Sequence, residues 1–362
     1  MEIALFHSQK ARTRTGRVRT SLESGKLGNN YNTFFATMVM RWELFSCKDS
    51  YMHKRALLSI DGGGIRGIIP LCALAEMERQ LGRQSREVFS FISGTSTGAI
   101  ITGGLASGIS AESILKLYQE MGSQAFRFDL LGFITSLGSF KYRSKPLADL
   151  MTTYFKDTTL NSLPVDVLIP ATRVSDGKPW YFVRDNPCNA GKTGNVKLVD
   201  CVTASAAAPV FFEAYDVPGI GPCVDGGVGI AGNPVYQTCV EAFYYTPEGT
   251  YIPAETLVVS LGTGYGPTAA TPHNLVNWVE WVVGELLALP ADQQTQLVLR
   301  HFQTAGTTRI NPALPHDIGM DDVNAVAELI KIGRAFAAKL DWNDILSGKL
   351  ALKSGPRMRR AD

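Results

Sequence analysis

The chain has 362 residues, 45% hydrophobic and 19% charged, a balance that excludes a disordered or fibrous polymer and fits one large α/β domain or two smaller ones. Its 35 Lys and Arg against 33 Asp and Glu leave a net charge of +2, which makes no global electrostatic case for nucleic acid. No run approaches the about 20 apolar residues of a membrane-spanning helix: 67–74 is too short, and 278–289 carries Glu280 and Glu285.

Charge is uneven along the chain. Residues 1–55 hold ten Lys and Arg against four Asp and Glu. Arg12, Arg14, Arg17 and Arg19 among Ser and Thr read as a disordered basic tail over 1–53, an extension upstream of a start near Met52, or a transit peptide. Such a tail would add about 1 kcal/mol per cation near an anionic lipid surface. The lack of an apolar leader argues against secretion and sets the expectation of a cytoplasmic chain. The six cysteines (Cys47, Cys72, Cys188, Cys201, Cys223, Cys239) form no C-x-x-C pair and have no His at ligand spacing, so no metal site is expected.

Regular structure begins at Ala56. The apolar run 56–60 reads as a buried parallel strand, and 65–81 spaces its apolar residues as a helix. A second strand is expected over 88–92, followed by a small-residue helix over 99–105. Amphipathic helices are predicted at 111–121 and 145–155, with a Gly/Phe/Ser-rich loop or flap between them. Strands follow at 165–174 and 180–183 around a turn at 175–178, then helices at 198–207 and 234–244 and a strand at 256–261. Beyond Pro272 the pattern is helical, over 274–288, 291–305 and 321–339, with a basic tail after Leu346. Strands alternating with helices predict an α/β fold with a predominantly parallel sheet between helices and a helical C-terminal region.

Two glycine motifs interrupt this pattern. Gly62-Gly63-Gly64-Ile65-Arg66-Gly67 follows a strand and opens a helix, and formally matches the dinucleotide fingerprint. That fingerprint needs an acid at the end of the second strand, where this chain has Gly94, so a nucleotide-binding protein is the alternative reading. Free amides at a helix N-terminus bind a phosphate or an acyl-transfer oxyanion equally well. Gly94-Thr95-Ser96-Thr97-Gly98 is a G-x-S-x-G turn between strand and helix, the setting of a nucleophile elbow.

A serine hydroxyl needs a base. His273, His301 and His316 carry no local mark of that role, and His7 and His53 precede the core. Asp225-Gly226-Gly227 offers a carboxylate on a tight turn whose glycines let it enter a cleft. For acyl-chain contact the candidates are Phe126, Phe128, Leu130, Phe133, Phe211 and Phe212.

Taken in order, 61–67, 94–98 and 225–227, joined by Ala204–Phe212 (ASAAAPVFF) and Ser260–Gly264 (SLGTG), resemble the patatin-like phospholipases. The resemblance covers 56–265 and implies a three-layer catalytic domain over 54–345, with a helical extension at 270–340 and a tail over 346–362. It implies a lipid acyl hydrolase with Ser96 as nucleophile and Asp225 as base, without histidine, metal or cofactor. It further implies an oxyanion site at Gly62, Gly63, Gly64 and Arg66, supported by Gly67, Gly94, Gly98, Gly226 and Gly227. A lipid aggregate bound peripherally is the implied substrate, with a small-molecule or protein activator as a further implied partner.

Overall fold

The computed structural model describes residues 55–124, 144–189, 191–209, 211–229, 231–266, 278 and 291–352. The basic segment 1–53, the flap, Phe126–Phe133, the helix expected at 274–288 (Trp278 apart), Cys47, His7, His53 and His273 lie outside the described residues.

The architecture follows from strands that are apolar on both sides. In β1 (Arg55–Ile60), Ala56, Leu58 and Ile60 enter one core while Leu57 enters another. β7 (Thr256–Leu261) repeats the division, with Leu257, Val259 and Leu261 on the first side and Val258 on the second. Period-two alternation with both sides apolar requires cover on both faces. Helices α1 (Ile68–Leu81), α2 (Thr97–Ala106), α3 (Ala111–Gln124), α4 (Ser144–Phe155) and α5 (Leu198–Ala206) lie on the first side. The second is covered by α6 (Val235–Val240) and α7 (291–301). Near the C-terminus α8 (Val326–Ala337) packs on α1, and α9 (Trp342–Leu346) buries Trp342 completely. Truncating one such core side chain costs about 2–5 kcal/mol.

One sheet holds all eight described strands. β2 (Phe91–Gly94), β1, β7 and β8 (Gly306–Ile310) pair in parallel, and β3 (Asp166–Arg173) extends the parallel run beside β2. β4 (Lys178–Val183) and the pair β5 (Tyr215–Val217) and β6 (Gly221–Asp225) are antiparallel additions. The predicted α/β class with a mainly parallel sheet therefore holds.

β3 carries the decisive topology. β4 pairs along Leu168–Arg173 and occupies one edge, so β2 and β6 share the other. β2 takes that edge at 166–168 and β6 takes it at 171–173, running the opposite way. The carboxyl ends of β2 and β6 therefore meet head to head beside Ile169 and Pro170. Pro170 has no N–H to donate to a ladder, and it falls in the gap.

Several boundaries differ from expectation. The strand expected at 88–92 begins at Phe91, because Gln84 and Glu87 form a capping box that makes Ser85–Val88 a helical turn. The helix expected over 291–305 stops at 301, and the segment 306–310, with β-branched Thr307, Thr308 and Ile310, instead pairs with β7 and removes its exposed edge. β5 and β6 lack alternation and were not anticipated as strands. The tail expected from 346 stays on the fold as far as Leu352, whose N–H donates to Thr307 O at 2.7 Å.

Candidate active site

Ser96 sits in the turn between β2 and α2 with φ 58° and ψ −121°, one of two non-glycine residues at positive φ among those described. Holding a side chain there costs about 1–3 kcal/mol and needs over-determined surroundings. Its neighbours supply them. A Cβ on Gly94 would lie 2.1 Å from Gly98 O, and one on Gly98 would lie 2.4 Å from Ile60 O, so both must be glycine. Ser96 N–H donates to Ser205 Oγ at 3.0 Å, and Thr95 Oγ1 donates to Ala231 O. The residue is 7% exposed.

Asp225 ends β6 opposite this turn and is fully buried. Its Oδ1 accepts the Gly227 N–H at 2.8 Å, while Oδ2 has no hydrogen-bond partner. Burial raises the carboxyl to about 6, and the Ser96 hydroxyl and the Gly227 amide pull the other way. Ser96 is thus close enough to favour the charged form, although Oδ2 makes no formed hydrogen bond to it. A Cβ on Gly226 would lie 2.5 Å from Pro170 O, so this glycine lets the Asp225 turn seat in the gap on β3.

The glycine loop closes the third side. A Cβ on Gly62 would stand 3.3 Å from Ser96 Cβ, and one on Gly67 would stand 2.4 Å from Thr97 Oγ1. Gly62 N–H donates to Gly232 O at 2.9 Å, which corrects its expected place among the oxyanion donors. The amides of Gly63 and Gly64 make no hydrogen bond among the described residues. Ile65 N–H is taken by Met320 O at 2.8 Å. Arg66 is half-buried with an unpartnered Nε, and burial lowers its pKa against the pull of Asp317.

A profile for the patatin-like phospholipases matches residues 58–238, half of the chain. The chain belongs to this family. A cGAMP-activated phospholipase of Escherichia coli is 33% identical over 198 residues, which span 52% of this chain and 55% of that protein. One of Vibrio cholerae is 29% identical over 321 residues, 78% of this chain and 90% of its relative. Among solved structures, VipD from Legionella pneumophila aligns with TM-score 0.40 and 12% identity over 82% of this chain and 67% of its own.

In this patatin-like chain an apolar cavity of about 120 Å³ opens onto Ser96, walled by Ile100, Tyr118, Leu147, Phe211, Phe212 and Met320. Three larger and more polar clefts lie elsewhere and do not reach the serine. The structure therefore brings together Ser96, Asp225, the glycine loop and two of the six predicted acyl-chain residues. Among the described residues, His301 and His316 stay outside the site. His301 bonds Tyr236 Oη at 2.9 Å, and His316 bonds Glu328 at 2.8 Å on the surface. Among the described residues no His, Cys, Asp and Glu group could hold a metal ion.

Three site residues escaped the sequence reading as individuals. Ser205 lies within the 204–212 motif, where nothing local marks it as the support of Ser96. Arg309, which pairs with Asp61 beneath the glycine loop, sat in a segment next to an expected helix. Met320 acts through its carbonyl, which no sequence pattern marks.

Proposed function

We propose that the chain is a carboxylic-ester hydrolase that releases fatty acids from lipids, phospholipids foremost, with Ser96 as nucleophile and Asp225 as base. One observation carries the reading: the unpartnered Oδ2 of a fully buried carboxyl whose opposite neighbour is the strained Ser96. A carboxylate raised to about 6 is mostly ionised at neutral pH yet basic enough to take a proton. Asp225 takes the Ser96 proton as Oγ attacks the ester carbonyl. The free amides of Gly63 and Gly64 receive the developing oxyanion, at the positive end of the α2 dipole. Asp225 then returns the proton to the leaving alkoxide, takes one from the water that attacks the acyl carbonyl, and hands it to the departing Ser96 Oγ, which restores carboxylate and hydroxyl. The apolar cavity favours an acyl chain over a nucleotide, and the Met320 carbonyl on Ile65 N–H opposes an anionic phosphate in the loop.

The substrate is a lipid aggregate met at its surface, since no helix among the described residues is long and apolar enough to cross a membrane. The names of the bacterial relatives support a small-molecule activator, cGAMP. The test is mass spectrometry of fatty acids and lysolipids released from a mixed lipid extract, with and without cGAMP. Ser96→Ala and Asp225→Asn should both abolish release, and the double variant should be no worse than either. His301→Ala and His316→Ala should keep most activity. A histidine variant as dead as Ser96→Ala, beside an active Asp225→Asn, would replace the dyad with a triad.

A further inference from the structure

A cleft of about 570 Å³ lies at the end of the sheet opposite Ser96, within the usual range of about 300–1,000 Å³ for small-molecule sites. It is bounded by the starts of three parallel strands: Arg55 and Ala56 of β1, Phe89 and Ser90 before β2, and Val165 and Asp166 where β3 begins. Four arginines line it, Arg55, Arg83, Arg86 and Arg184, against the two carboxylates of Glu87 and Asp166.

Only one of these arginines pairs with a carboxylate among the described residues: Arg184 Nη1 stands 3.3 Å from Asp166 Oδ1. Its Nε is buried without a partner. Arg83 donates to Glu87 O, Arg86 donates to Gln84 Oε1 at 3.1 Å, and the Arg55 guanidinium lies 5.8 Å from the Tyr251 ring centroid. Arg184 Nη2 donates to Leu163 O, so around this one cavity most of the arginine donors meet neutral oxygens or an aromatic face and few carboxylates balance their charge. Guanidinium forks match phosphate oxygens two at a time. Surface solubility asks only for scattered arginines; it does not require them around one cavity.

We propose that this cleft binds a small molecule bearing phosphodiester groups and is the seat of the activator. The proposal deepens the reading above and rests on it for the identity of the ligand, a cyclic dinucleotide. The geometry offers a route from cleft to nucleophile. β1 runs from Arg55 in the cleft to Asp61 at the glycine loop, and β2 runs from Ser90 to the Ser96 turn. Tyr251 Oη lies 2.7 Å from Asp166 Oδ2 and 2.9 Å from Ser90 O, with its one proton shared between them, and ties the starts of β2 and β3 to one cleft wall. A phosphate that draws Arg184 from Asp166 acts on that tie.

The experiment measures binding by calorimetry on the full chain, with cGAMP and with inorganic pyrophosphate as probes. The variant is Arg55→Glu with Arg83→Glu, both on exposed side chains, and Lys331→Glu on the outer face of α8 controls for charge. The expected result is cGAMP binding at least tenfold weaker in the double variant and unchanged in Lys331→Glu. Basal hydrolysis of a soluble ester should equal that of the wild type in both. Equal cGAMP binding in wild type and double variant overturns the cleft assignment and leaves the activator reading standing. If the wild type ignores cGAMP, the activator reading fails and pyrophosphate decides the cleft. Binding by the wild type that is lost in the double variant supports a phosphate site, and no binding overturns it.

Discussion

Arg309 on β8 closes a bidentate ion pair on Asp61, 248 residues earlier, with Nη1–Oδ1 at 2.8 Å and Nη2–Oδ2 at 2.6 Å. Both side chains are nearly buried, at 9% and 6% exposure. Arg309 Nη1 also reaches Ser260 Oγ at 2.9 Å, and Asn233 Nδ2 reaches the same hydroxyl at 3.1 Å. Asn233 Oδ1 in turn accepts from Ser59 Oγ, so β1, β7 and β8 are cross-linked below the glycine loop. Removing one member of a buried pair strands the other charge at a cost of about 3–5 kcal/mol. Arg309→Met should lose about that much stability in denaturant unfolding, and Asp61→Asn added to it should recover a large part. A loss below about 1 kcal/mol in Arg309→Met would show that the pair is solvated.

Asp225 sets function against stability. Its carboxyl titrates at about 6 when folded and at about 3.9 when unfolded, so the folded chain binds the proton more tightly. The resulting stabilisation is complete below about pH 4 and is lost as pH rises through 6. Asp225→Asn escapes that loss and keeps an acceptor for Gly227 N–H. It should therefore melt above the wild type at pH 8, by up to about 2–3 kcal/mol, with the gap closing by pH 4. Wild-type kcat/KM on a soluble ester should rise through pH 6 and then level, as the proposed base ionises. Thermal melts and rate profiles over the same pH series check both.

Ser205 holds the strained serine by its amide. Ser205→Ala leaves Ser96 N–H buried without an acceptor, at about 1–3 kcal/mol. The elbow should then relax, with kcat on a soluble ester falling at least tenfold and KM nearly unchanged. An unchanged kcat would mean that Gly94 and Gly98 hold the turn alone.

Gly64 and Gly82 share a left-handed backbone, at φ 56° and 62°, but a Cβ on Gly64 would meet Met320 O at 2.1 Å while Gly82 faces open space. Gly82→Ala should cost about 1 kcal/mol, the backbone contribution alone. Gly64→Ala should cost clearly more and lose most activity, because the 319–321 segment must leave the oxyanion loop. Equal stability loss in the two variants would mean that Met320 yields freely.

The elements that the sequence made legible are those whose signal is local. The apolar strands at 56–60 and 256–261 and the amphipathic helices at 111–121 and 145–155 carry their period in adjacent residues. The G-x-S-x-G turn does so too, because Gly94 and Gly98 are demanded by backbones within a few residues or on the neighbouring strand. β5, β6 and β8 carry no such signal because they are short and become strands only by finding a partner edge, β6 on β3, β5 on β6 and β8 on β7.

Sequence by itself determined the α/β class and the family, and it singled out Ser96, Asp225 and the glycine loop as candidates, since each needs particular residue types at particular spacings. Tertiary structure alone decided how they act together. The shared edge of β3 turns the ends of β2 and β6 toward each other, and burial there lifts Asp225 to a useful basicity. Gly62 loses its amide to Gly232, Ser205 supports Ser96, and Arg309 finds Asp61 across the sheet. Strand pairing sets these contacts between residues far apart in the chain, and desolvation fixes their strength; neither is written in local composition.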